Sequence, residues 1–118
     1  MTKPDKILRA SDWIVSVSIL LIGITHNVVS PIFFPTLGPG AFLFVGTGLA
    51  FMFLGIFNFA RLKAGKKIVS VMCIICITLT LIYCCIFYRY VNTLKWWIIA
   101  VILIALILSV LDIKHLRK

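Results

Sequence analysis

No lysine, arginine, aspartate or glutamate stands between Trp13 and Ala60. Nothing constrains the fold of this chain more. A helix that crosses a bilayer needs about 20 apolar residues, because the hydrocarbon layer is roughly 30 Å thick and the rise is about 1.5 Å per residue. The charge-free stretch therefore holds two spans and a tight connection. Ile68–Tyr88 reads as a third span and Leu94–Leu111 as a fourth. A chain of 118 residues that is 63% hydrophobic has more apolar surface than a soluble domain of that size can hide. Lipid leaves every backbone N–H and C=O to be paired within the protein, so the spans are helices or a closed barrel. The apolar runs are continuous rather than alternating, which argues against the barrel.

Basic residues are sorted by loop. Lys3, Lys6 and Arg9 precede the first span. Arg61, Lys63, Lys66 and Lys67 join the second to the third, and Lys114, Arg117 and Lys118 follow the fourth. Only Arg89 and Lys95 stand between the third and fourth spans, and the first connection carries no charge. Cytoplasmic loops are enriched in lysine and arginine, so this alternation places both termini and the Arg61–Lys67 connection in the cytoplasm. Trp13 at the inner boundary, with Tyr88, Tyr90, Trp96 and Trp97 at the outer one, fits aromatic belts. The first apolar segment is long and no A-x-A-like site follows it, so it reads as a retained helix rather than a signal peptide. The net charge of +9 belongs to span flanks that meet anionic head groups, not to a nucleic-acid surface.

The expected fold is all-α: an integral membrane, up-down bundle of four transmembrane helices, N-in and C-in, forming one domain over residues 1–118. The helices are expected at about 12–30, 41–62, 67–88 and 94–112. Ser11 and Asp12 are suited to cap the first helix, and Pro31 to end it. Pro31–Gly40 holds three of the four prolines and two phenylalanines. It reads as an ordered apolar turn that lies in the outer interface or folds over the mouth of the bundle. Gly46 with Ala50, and Gly48 with Gly55, supply small residues that let helices approach closely.

Each helix carries a polar or small stripe at helical spacing. The first has Asp12, Ser16, Gly23, Asn27 and Ser30. The second has Thr47, Phe51, Gly55 and Asn58. The third has Ser70, Cys73, Thr80 and Cys84, and the fourth Ala105, Ser109 and Asp112. These stripes are expected to face inward or toward a second protomer. The polar residues fall in two layers. Near the cytoplasm, Asp12 and Asp112 are placed to pair with Arg61 or Lys67, or to cap a helix and meet solvent. Near the outside lie His26, Asn27, Tyr83 and Arg89, the candidate ligand-binding residues. An ionisable side chain at the depth of His26 marks a functional site by default, and histidine titrates near neutral pH. A zinc site needs three or more protein ligands. His115 lies at the other end of the bundle and no acid shares the outer half, so no metal ligand set is assigned.

Cys73-Ile-Ile-Cys76 has the C-x-x-C spacing of redox motifs. In helix number, length and this motif the chain resembles the four-helix membrane thiol oxidoreductases, the quinone-reducing disulfide oxidase and vitamin K epoxide reductase families. That resemblance implies thiol-redox chemistry. It departs where those families hold a reactive pair near the outer face and relay through loop cysteines: here the pair lies in the cytoplasmic half, and the outer loops have no cysteine. In length and helix count the chain also resembles the small multidrug-resistance transporters. Their dimers depend on a membrane glutamate, a residue type this sequence lacks.

Three functions are open at this stage. The first is a bundle that binds or transports a small apolar or amphiphilic ligand, lipid or quinone-like, in an outward pocket of His26, Asn27, Tyr83 and Arg89. The second is a structural or accessory subunit of a larger membrane complex or homo-oligomer. The third is a membrane thiol-redox enzyme. The expected partners are the lipid bilayer and a second membrane protein or copy, with no nucleic acid. The cofactor is unknown. The expected location is the plasma (inner) membrane of a bacterium, with both termini cytoplasmic.

Overall fold

The computed structural model describes residues 3–88 and 96–115. These form four helices: α1 (Lys3–Phe33), α2 (Pro39–Ala64), α3 (Lys67–Tyr88) and α4 (Trp96–His115). The described residues contain no strand, and each helix is long and apolar enough to cross a membrane. The helices pack as a closed ring, α1 on α2, α2 on α3, α3 on α4 and α4 on α1. Asp12 meets Asn58 while Gly23 meets Gly48, so α1 and α2 run antiparallel. Contacts from Asn58 to Cys73 and from Thr47 to Tyr83 set α3 antiparallel to α2.

Helix limits differ from the sequence reading in ways that local chemistry explains. α1 begins at Lys3, not near Asp12, so Asp12 lies inside the helix and is no cap. Pro31 does not stop α1 either. It sits in the last turn, where its missing N–H removes a single helical bond, and Phe34 N–H closes the turn on Ser30 O at 2.8 Å. α2 starts at Pro39, a residue whose fixed φ suits the first turn. It ends at Ala64, where Gly65 adopts the left-handed conformation (φ 63°) and donates its N–H to Arg61 O at 3.3 Å. The connection between α1 and α2 is thus shorter than Pro31–Gly40. The end of α1 and the connection rest on α2 through Phe33 and Phe34, whose rings lie 6.0 and 5.3 Å from that of Phe44. Leu37 at its tip is 88% exposed.

The centre of the ring takes Phe51, Cys73, Cys84 and Ala105 from the stripes and adds apolar neighbours, while Thr47 and Thr80 stay half-buried and bond to Leu43 O and Cys76 O of their own helices. Ile19, Phe51, Leu54, Cys73, Ile77, Cys84, Ile98, Ile102 and Ala105 form a buried apolar core. Most remaining Ile, Leu, Val and Phe side chains point outward, as lipid-facing residues do. α1 and α2 are the closest pair. A Cβ added at Gly23 would stand 2.6 Å from both Gly48 O and Met52 N, and one at Gly55 would stand 2.9 Å from Leu20 N. Only glycine permits that approach. Gly46 behaves differently: nothing lies within 4 Å of its added Cβ, and it and Ala50 face outward.

Candidate functional site

One end of the bundle holds a polar layer to which all four helices contribute. The spacing explains its assembly. Asp12 and Ser16 are four apart on α1, and Asn58 and Arg61 are three apart on α2. Ser70 and Cys73 on α3, and Ser109 and Asp112 on α4, are also three apart. Each pair therefore shares one helix face, and each of these faces is buried.

Arg61 stands at the centre and is 0% exposed. Its guanidinium fork is engaged on every nitrogen. Nη2 donates to Asp12 Oδ2, Nη1 to Asp112 Oδ2 at 2.7 Å, and Nε to Asn58 Oδ1 at 2.8 Å. One cation thereby ties α1 and α4 to α2. Lysine has no such fork. Asn58 extends the network: its Nδ2 donates to Ser16 Oγ at 2.5 Å and to Asp12 Oδ1 at 3.4 Å. Ser16 Oγ in turn donates to the Asp12 carbonyl at 2.7 Å. From α3, the Cys73 thiol donates to Asn58 Oδ1 at 3.2 Å. Arg61 also lies in the last turn of α2, where a cation is favoured by the helix dipole. Removing so many charges from water is tolerated only when they are paired and hydrogen-bonded in this manner. The choice between Arg61 and Lys67 as partner of the acids is settled: Arg61 takes both, and Lys67 is exposed.

The opposite half contains three of the four candidate ligand-binding residues, all brought to one stretch of α2. His26 is half-buried and stacks on Phe44 with centroids 3.7 Å apart and planes at 15°. Its edge faces Phe51 at 6.4 Å. The Asn27 Nδ2 donates to Met52 Sδ at 3.3 Å, while its buried Oδ1 points at Gly48 and has no hydrogen-bond partner among the described residues. Tyr83, 37% exposed, places its hydroxyl 3.3 Å from Thr47 Oγ1. Phe44, Thr47, Gly48, Phe51 and Met52 thus form a common seat, with His26 and Asn27 on it from α1 and Tyr83 from α3. Arg89 lies outside the described residues.

The cysteines are all free. Cys73 faces the polar layer, whereas Cys76, about one turn further along α3, is exposed. Cys84 is buried in the apolar core and Cys85 is exposed. Among the described residues, no three His, Cys, Asp or Glu side chains are grouped to hold a metal ion.

Arg61 and Asn58 are the residues that sequence reasoning undervalued. The inward stripe Thr47, Phe51, Gly55 and Asn58 continues by one helical step to Arg61. That continuation was the available signal that this arginine is internal rather than part of a basic loop. Compared with protein-family models, with characterised proteins and with solved structures, the chain matches none.

Proposed function

We propose that the protein crosses the plasma (inner) membrane four times, with both termini cytoplasmic, and binds or transports a small apolar or amphiphilic molecule from the outward side. The convergence of His26, Asn27 and Tyr83 on Phe44–Met52 of α2 carries this reading. It joins a flat aromatic surface, a titratable ring, an amide with an unused acceptor and a phenol. That combination suits a lipid or quinone-like ligand, whose ring or chain takes the apolar wall and whose polar head takes the hydrogen bonds. Arg89, next in sequence after Tyr88, would attract an anionic head. The Arg61 layer would close the cytoplasmic end. Native mass spectrometry of the protein in mild detergent tests the reading. A bound small molecule is expected, and it should be lost in His26→Ala. A bare protein, or a ligand retained equally by the variant, would refute the pocket.

One observation favours a second reading, an accessory subunit or homo-oligomer. Gly46 and Ala50 present a small-xxx-small pair that the four helices of this chain leave uncovered. Such pairs suit helix–helix docking in lipid. Under this reading Gly46→Ile would release a partner protein or second copy, and the mass of the detergent-solubilised complex would fall.

A further inference from the structure

The Arg61 layer contains two groups that its ion pairs leave unused. The hydroxyls of Ser70 and Ser109 are 0% exposed and have no hydrogen-bond partner among the described residues. Ser70 lies one helical turn from Cys73, whose thiol is on Asn58, and Ser109 one turn from Asp112, whose carboxylate is on Arg61. Both hydroxyls therefore stand on the α3 and α4 faces that build the layer. Buried polar atoms are nearly always satisfied, by protein or by water. An internal site that keeps water must be polar and offer two to four partners. Here the surroundings supply hydroxyl, carboxylate, amide and thiol groups from every helix: Asp12 and Ser16, Asn58 and Arg61, Ser70 and Cys73, Ser109 and Asp112.

We propose that this layer is a water-binding site, in which internal water bridges Ser70 and Ser109 to the Arg61–aspartate network. Water is the ligand that fits, because it both donates and accepts. The serines can offer a proton to it or take one from it, and carboxylate oxygens accept its protons. The bridge adds a tie from α3 to a clasp that joins α1, α2 and α4 and that α3 meets through the Cys73 thiol.

Radiolytic footprinting in oxygen-18 water tests this within the intact protein. Cys73 and Cys84 provide an internal comparison: both are free, both on α3 and both 0% exposed, but only Cys73 borders the layer. Cys73 should take up label several-fold more than Cys84. In the double variant Ser70→Ala/Ser109→Ala that excess should shrink, and the thermal midpoint in detergent should fall. The sign of the midpoint is informative. In a dry site, alanine removes two unsatisfied hydroxyls and the midpoint rises; in a hydrated one it strands the water and the midpoint drops. Equal, low labelling of both cysteines in the unmodified protein would overturn the proposal without any variant. So would a raised midpoint in the double variant. A midpoint that rises on replacing choline by sodium at constant ionic strength would make the layer a cation site, and would overturn it also.

Discussion

Replacing Arg61 by leucine should unfold this bundle more effectively than any other single change. Nε, Nη1 and Nη2 are all engaged, and Nη1 and Nη2 reach carboxylates on different helices. Leucine would withdraw this cation from Asp12 and Asp112 together, and one hydrogen bond from Asn58 Oδ1. Breaking one buried ion pair by removing a partner costs about 3–5 kcal/mol. The two losses here share one cation and so do not simply add, and a total near the top of that range is expected. Arg61→Lys should fall between leucine and the native residue, since an ammonium cannot serve three acceptors in one plane. The decisive comparison is the triple variant Arg61→Leu/Asp12→Leu/Asp112→Leu. A buried ion cluster replaced as a whole by apolar residues is often neutral or better, so the triple variant should recover most of what the single one loses. The assay is helicity and near-ultraviolet dichroism in mild detergent, titrated with a denaturing detergent. An Arg61→Leu midpoint equal to that of the native chain would refute the reasoning, as would a triple variant no better than the single one.

Glycine substitutions give a second set of expectations. Gly23→Ala should cost about 1–3 kcal/mol by overpacking, because the backbone atoms 2.6 Å from its added Cβ cannot yield. Gly46→Ala should leave stability unchanged or raise it by up to about 1 kcal/mol from helix propensity, as its Cβ meets nothing within 4 Å. Thermal unfolding of the two variants side by side checks both. At the α2 C-terminus, Gly65→Ala should cost about 1–2 kcal/mol, the penalty of a side chain in the left-handed region; the same scan reads it, and an unchanged midpoint would count against the cap. Replacement of all four cysteines by serine should preserve function in cells, because all four are free and the Cys73 thiol is buried on Asn58 while Cys76 is exposed; loss of function would revive thiol chemistry.

How far the sequence reveals this arrangement depends on the kind of signal. The four helices were legible because hydropathy is additive along the chain, and a stretch such as Trp13–Ala60 allows no other element. The inward stripes were legible because Asp12, Ser16, Asn58, Cys73, Ser109 and Asp112 recur at helical spacing. Helix ends were less so. Pro31 marks a helix stop in most contexts, but within a last turn it costs a single bond. Asp12 resembles a cap until Arg61 arrives from α2, and that meeting is a tertiary fact. Small residues gave half an answer: Gly48 and Gly55 face α1 while Gly46 faces away, a difference set by rotation about the α2 axis that spacing alone does not fix. In the candidate ligand site, the nomination of His26, Asn27 and Tyr83 came from depth and chemistry. Their common seat on Phe44–Met52 followed only from the packing of α1 and α3 against α2.

The central claim is that these four helices cross a bilayer with the Arg61 end on one face and the α1–α2 connection on the other. In a cysteine-free background, single cysteines placed at Leu37 and at Lys66, both exposed, can be probed in sealed cells with a membrane-impermeant thiol reagent. The predicted result is that position 37 reacts in intact cells and position 66 reacts only after lysis. Equal reaction of the two positions in intact cells would contradict it.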